Sequence, residues 1–251
     1  MLHLKRILRR FRFHLVRLFF TIRAFRLKKT YPNGKYIPPE VFGDEFSAWI
    51  TKICKRPDVK TLIEIGSSSG EGSTSSIVRG LKDKKIWELH LLEVDELRHE
   101  ALKRKFLSYP QIFIHRYSSV CTAQYPSSEE VAQFYSTTAT NLNQTSLETV
   151  LVWLKDDKQG LVEQGLSDLN GIETIKQKYG ITSFDFALVD GSEFTGFADT
   201  CALIGAKYLL LDDINSYKCY RAFQFLLKHP DYKLEFEDWK NRNGFAVFSK
   251  Q

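Results

Sequence analysis

From about residue 60 the chain alternates short apolar runs with stretches of helical periodicity, and few architectures accept that order. The runs at about 60–65, 86–93, 111–116, 184–189 and 207–211 have strand length and are rich in Ile, Leu, Val and Phe. The stretches at about 72–81, 95–107, 195–203 and 217–228 place apolar residues three and four apart, the spacing of one helix face. Strand and helix in regular turn predict an α/β fold with a doubly wound, mainly parallel sheet, because each crossover helix returns the chain to start the next strand in the same direction. The C-terminus departs from this rule. Runs at 232–238 and 245–248 flank Asn243-Gly244, a dipeptide suited to the left-handed backbone of hairpin turns, so a C-terminal antiparallel hairpin is expected to complete a seven-stranded sheet.

The stretch from about 117 to 182 is too long for a simple crossover between the third and fourth strands. Helical patterns near 128–138, 146–156 and 169–179 predict a helical insertion at about 120–182 that either covers a bound molecule or decorates the fold. The main domain then runs from 58 to 251. Residues 31–57 form a linker and a leading helix near 40–54, punctuated by Tyr31-Pro32-Asn33-Gly34 and Pro38-Pro39.

Residues 1–30 hold ten Lys or Arg and no Asp or Glu. Taking those ten from the net charge of +6 leaves the rest of the chain at −4, so the basicity belongs to a tail, which argues against nucleic acid as a partner. Leu4, Leu8, Phe11, Leu15, Leu18, Ile22 and Phe25 recur at helical spacing among the arginines, predicting a basic amphipathic N-terminal helix. Its longest uncharged run, Leu18 to Ile22, is too short to span a bilayer, so the helix is expected to lie on an anionic membrane surface or to pack its apolar face on protein. Cys54, Cys121, Cys201 and Cys219 form no metal-binding or redox pair and read as reduced thiols. That usage predicts a cytoplasmic protein, with the tail placing it at the inner face of the membrane.

Thr61-Leu62-Ile63-Glu64-Ile65-Gly66-Ser67-Ser68-Ser69-Gly70-Glu71-Gly72-Ser73 passes from an apolar strand through a small-residue loop into a helix. The glycines follow G-x-x-x-G-x-G and not the G-x-G-x-x-G that receives a dinucleotide pyrophosphate. A ligand without phosphate but with an ammonium group suits a loop preceded by an acid, and S-adenosyl-L-methionine (SAM) is such a ligand, with Glu64 attracting the ammonium directly or through water. Gly66, Ser67, Ser68, Gly70 and Gly72 would let it approach the backbone. The next strand ends in Leu91-Leu92-Glu93-Val94-Asp95, so Glu93 is the candidate for the ribose hydroxyls and Asp95 for the cap of the following helix.

On these residues the chain, over roughly 58–249, resembles the class I SAM-dependent methyltransferases, whose first motif is an acid, a hydrophobic residue and a glycine-rich loop. The resemblance implies a Rossmann-like sheet with its last strand antiparallel, and it puts Ser118 or Ser119 near the adenine. Asp190-Gly191-Ser192-Glu193 and Asp212-Asp213-Ile214-Asn215 follow the fourth and fifth strands. Asp190, Asp212 and Asp213 would converge there, and like charges held close need a cation such as Mg²⁺ unless they are spread among helix caps. In this the chain looks like the metal-dependent O-methyltransferases and sugar-tailoring methyltransferases, in which a metal binds the acceptor hydroxyl and lowers its pKa. The lysine expected as base after Asp190 is missing, which leaves Asp190 and, second, Glu193 to take the proton. The implied activity is methyl transfer to oxygen of a hydroxylated small molecule or glycan. A non-catalytic membrane-associated scaffold is the alternative, and an NAD-linked oxidoreductase is disfavoured by the glycine spacing.

Overall fold

A computed structural model of the protein describes residues 40–251, and the expected N-terminal basic helix lies outside them. Asp44 opens the first described helix, α1 (Glu45–Cys54), by accepting the Ser47 N–H at 2.8 Å, which satisfies one of the amides a helix start leaves unpaired. The core then alternates β1 (Thr61–Ile65), α2 (Ser73–Leu81), β2 (Glu88–Leu92), α3 (Glu96–Lys105) and β3 (Ile112–His115). After β3 come α4 (Ser128–Thr137), α5 (Leu147–Glu163) and α6 (Gly171–Tyr179), followed by β4 (Phe186–Val189), α7 (Gly196–Ala202), β5 (Tyr208–Asp212) and α8 (Tyr217–Lys228). The chain closes with β6 (Tyr232–Asp238) and β7 (Phe245–Lys250).

The seven strands lie in the order β3-β2-β1-β4-β5-β7-β6. The first five are parallel, and β7 pairs antiparallel with both β5 and β6. Strand order reverses between β1 and β4, where an open parallel sheet leaves a crevice at its carboxyl ends.

Side chains alternate across the sheet, so each strand feeds two cores. Leu62, Leu89, Leu91, Phe186 and Leu188 pack with α1, α2 and α3, through Ile50, Ile77 and Leu102 among others. Ile63, Ile65, Ala187, Val189, Leu209 and Leu211 pack on the opposite face with α6 and α8, through Ile172, Ile175, Ala222 and Phe223. Both faces being covered explains why these strands read as continuous apolar runs.

The packing divides the long β3–β4 connection. Ile172 and Ile175 of α6 belong to the main core, so α6 is the crossover helix, and the additional elements are α4 and α5. These two have a small core of their own, with Val131, Phe134, Val150 and Leu154 closing on Phe194 and Tyr217 of the main domain. The C-terminal antiparallel hairpin forms as expected. Six residues from 239 to 244 join β6 to β7, with Arg242 (φ 56°) and Gly244 (φ 79°) in the left-handed region, and this loop carries Arg242 back toward the sheet's carboxyl edge. Among the described residues no helix is long and apolar enough to cross a membrane.

Candidate active site

The loop after β1 is held over the end of β2, since the amides of Gly66 and Ser67 both donate to the Leu92 carbonyl, at 3.1 and 3.0 Å. Gly66 (φ +82°) passes so near the end of β4 that a Cβ there would lie 2.1 Å from the Asp190 carbonyl oxygen. A Cβ at Gly70 (φ +74°) would meet the Phe106 ring at 2.6 Å. The glycines are therefore required by the protein's own packing. Gly66 fixes the distance between the loop and Asp190.

That loop walls one side of a cleft of about 590 Å³ at the carboxyl ends of the parallel strands. Gly66, Ser67, Ser68 and Gly72 line it, with Glu93 and Ser119 from the neighbouring strand ends, and Asp190, Asp212 and Asp213 form the far wall. Its volume is in the range of small-molecule and cofactor sites. Glu64, Gly70 and Glu193 stand behind the lining.

Glu64 is fully enclosed beneath the loop. Its Oε2 accepts from Thr74 Oγ1 at 2.5 Å, while Oε1 has no partner. Burial raises its pKa to about 7, against the pull of the nearby hydroxyls of Ser73, Thr74 and Ser67. Glu93 is also held up by burial, and its Oε1 accepts the Asp95 amide at 2.9 Å. Asp95 caps α3 by accepting the Arg98 N–H at 2.9 Å. Ser119 turns its hydroxyl to the buried Asp199, whose pKa rises to about 6 by burial and whose Oδ2 also accepts from Thr195 Oγ1 at 2.8 Å.

Successive residues of a strand point to opposite faces, so Asp212 and Asp213 would diverge if β5 continued. It ends at Asp212, and Asp213 takes a left-handed backbone (φ 57°) that turns its carboxylate toward the same wall. One oxygen from each of Asp190, Asp212 and Asp213 lies within 4.8 Å of the others. Neither Asp212 nor Asp213 caps α8, because Glu193 does: its Oε1 accepts from Ser216 Oγ and from the Lys218 amide at 3.3 Å. Glu193 is thereby a helix cap, placed away from the cleft where a base would act.

The countercharge to this cluster comes from two residues outside the sequence reading. Lys218 Nζ lies 3.0 Å from Asp190 Oδ1 and 2.6 Å from Asp213 Oδ2. Arg242 donates to Asp212 Oδ1 at 2.6 Å and to Asp44 Oδ2 at 2.7 Å. Burial and mutual repulsion raise Asp190, and more strongly Asp212, above the usual carboxylate range. Burial alone would lower Lys218, but the carboxylates outweigh it and hold the ammonium charged. The signal in the sequence was indirect: three converging acids demand cations, but no spacing rule points to the second residue of α8 or to a hairpin loop.

The α5 helix closes the remaining side. Asp156, Asp157, Gly160 and Leu161 face the cleft, and Asp157 Oδ2 accepts from Ser192 Oγ at 2.5 Å, tying the added helix to the loop after β4.

No protein-family model matches the chain, and comparison with curated proteins finds no relative. Solved structures do resemble it. An O-methyltransferase from Bacillus cereus in complex with S-adenosylhomocysteine aligns with TM-score 0.54 and 10% identity over 91% of this chain and 89% of its own. A proposed caffeoyl-CoA O-methyltransferase from Staphylococcus aureus aligns with TM-score 0.52 and 12% identity, covering 91% and 92%. A methyltransferase from Geobacter sulfurreducens aligns with TM-score 0.51 and 8% identity, covering 92% and 89%. The chain has the class I methyltransferase fold. In that fold, the glycine loop after β1 and the acid ending β2 stand at the strand-order reversal, the place a doubly wound sheet offers to a ligand.

Proposed function

We propose that this chain is a SAM-dependent methyltransferase acting on oxygen of a hydroxylated small molecule, such as a glycan sugar or a lipid-linked intermediate. The observation that carries the reading is a single cleft lined at one end by the Gly66–Gly72 loop and Glu93 and at the other by Asp190, Asp212 and Asp213. The first end suits the cofactor. The backbone at Gly66, Ser67 and Ser68 would hold its amino-acid moiety, with the ammonium drawn by the charge of Glu64 enclosed behind the loop, while Glu93 would hold its ribose and the Ser118–Ser119 segment its adenine.

When bound, SAM supplies a methyl group on a positively charged sulfur, an electrophile that needs an aligned oxygen more than an elaborate catalyst. The protein's tasks are then to orient the acceptor hydroxyl, to take its proton and to keep water away. Asp190 Oδ1 is engaged by Lys218, which leaves Oδ2 to receive the proton. The raised pKa of Asp190 favours that transfer. The α5 wall supports acceptor enclosure, with Asp156 and Asp157 offering carboxylates to further hydroxyls. A divalent ion fits this arrangement poorly, because Lys218 already spans the space between Asp190 and Asp213.

Titration calorimetry with SAM, with NAD as comparison, tests the cofactor assignment. SAM heat from the wild-type chain and none from Gly66→Arg is expected, and no SAM heat from folded wild-type protein would sink the reading. Transfer of labelled methyl from SAM to a hydroxylated product in a cell extract is the further expected result. The basic tail of residues 1–30 supports a cytoplasmic protein resting on anionic membrane, near lipid-linked acceptors.

A further inference from the structure

Three carboxylates gathered at the ends of β4 and β5 require positive charge nearby, or they would retain protons. Here the charge is built from side chains on two separate elements. The Lys218 ammonium lies between Asp190 and Asp213, and Arg242, fixed from behind by Asp44, holds Asp212. Both cationic side chains are enclosed, at 11% and 12% exposure. A hard divalent ion shared by the same carboxylates would need their oxygens at about 2.0–2.6 Å. The ammonium that bridges Asp190 and Asp213 fills that space, so ion and lysine exclude each other.

We propose that Lys218 replaces the divalent ion to which acids at these two strand ends point in the metal-dependent O-methyltransferases, and that its ammonium binds the acceptor oxygen. The inference rests on the methyl-transfer reading for the acceptor's identity as a hydroxyl compound, but its charge argument does not. An ammonium has three N–H donors. Asp190 and Asp213 engage two, and Lys218 itself lines the cleft, so the third is available to an oxygen placed beside Asp190. That arrangement puts a fixed positive charge and a proton acceptor on the same hydroxyl, which is the combination a bound metal and a base would otherwise supply. Arg242 has a positioning role: it neutralises Asp212 and leaves Lys218 to the other two acids.

The exclusion can be read without an acceptor. Manganese chloride is titrated into the wild-type chain of residues 1–251 and into Lys218→Ala, with loss of the free Mn²⁺ electron paramagnetic resonance signal as the readout. Wild type should bind no Mn²⁺ at the site up to millimolar concentration, whereas Lys218→Ala, with its three acids uncovered, should gain about tenfold or more in affinity and melt at a higher temperature when Mn²⁺ is added. Lys218→Arg should behave as wild type. Mn²⁺ binding by the wild-type chain that Asp190→Asn abolishes would overturn the proposal, and so would a folded Lys218→Ala that binds none. Should Lys218→Ala not fold, Lys218→Met keeps the side-chain volume without the charge, and the wild-type titration still decides. SAM heat measured on the same wild-type sample separates the two readings: its absence removes the methyltransferase proposal, while Mn²⁺ binding removes only this one.

Discussion

Glu64 is a carboxyl that the fold encloses completely, and its raised pKa, about 7, has consequences of a definite sign. Between its ordinary value of 4.5 and about 7 the unfolded chain releases a proton that the folded one keeps. Glu64 therefore costs the ligand-free fold stability that grows with pH over that window and then levels off. A bound ammonium would repay the cost by favouring the ionised form, so SAM affinity should rise from about pH 6 to about pH 8, and Glu64→Gln should bind more weakly and lose the pH dependence. Calorimetry at the two pH values checks this, and an unchanged slope in Glu64→Gln would refute the role. A second prediction concerns Gly66. Gly66→Ala combines a left-handed backbone with overlap on the Asp190 carbonyl, whereas Gly43→Ala has a similar φ, +66°, and open space. Gly43→Ala should cost about 1 kcal/mol, and Gly66→Ala should cost about 2 kcal/mol more and abolish SAM binding. Urea unfolding of both variants isolates the overlap. At this scale Glu64, Gly66 and Glu93 were legible in the sequence because an acid or glycine at a strand end has a local meaning. Lys218 and Arg242 were not, since each meets its acid only after a helix or a hairpin has returned the chain to the sheet's edge.

Elements were read more securely than their partners. Strand and helix positions follow from local periodicity, and α8 over Tyr217–Lys228 coincides with its expected range. What α6 packs against is a tertiary fact, because the same apolar spacing serves an added helix and a crossover helix equally. Adjacent strands show a similar limit in His90 of β2 and His115 of β3. Each looks unremarkable alone, yet their ring nitrogens meet at 3.1 Å in a buried layer with Tyr179. Burial lowers their pKa values to about 3 and about 4. As pH falls below 6.5 the unfolded rings take protons that the folded ones refuse, so stability present at neutral pH is lost. Each ring should contribute up to about 1.4 kcal/mol per pH unit, until the folded ring begins to protonate. His90→Leu should therefore narrow the stability difference between about pH 7 and about pH 5 by roughly 2 kcal/mol. Chemical unfolding at the two pH values measures it, and an equal loss in wild type and variant would show that the pair is not the acid-sensitive element.

For the whole molecule, charge is divided along the chain in a way that makes the tail hypothesis testable. The chain beyond residue 30 carries a net −4, and the cleft adds a local concentration of carboxylates, Asp156 and Asp157 opposite Asp190 and Asp213. A body of that net charge is repelled by anionic lipid and by nucleic acid alike, so electrostatic attraction is expected to come from the ten cations of residues 1–30. Near an anionic bilayer each is worth about 1 kcal/mol at most, and the attraction decays within roughly a Debye length, about 8 Å at physiological salt. The apolar residues at helical spacing between them add a contribution that salt does not screen. Two measurable behaviours separate these terms. The intact chain should sediment with vesicles rich in phosphatidylserine, more weakly at high salt and more weakly still with neutral phosphatidylcholine vesicles, while a chain beginning at Tyr31 should stay in the supernatant throughout. Equal sedimentation of both chains would remove the membrane role. Loss of binding with the tail but no response to salt would instead assign the attachment to its apolar face, the arrangement in which that face packs on protein or lipid without reading charge.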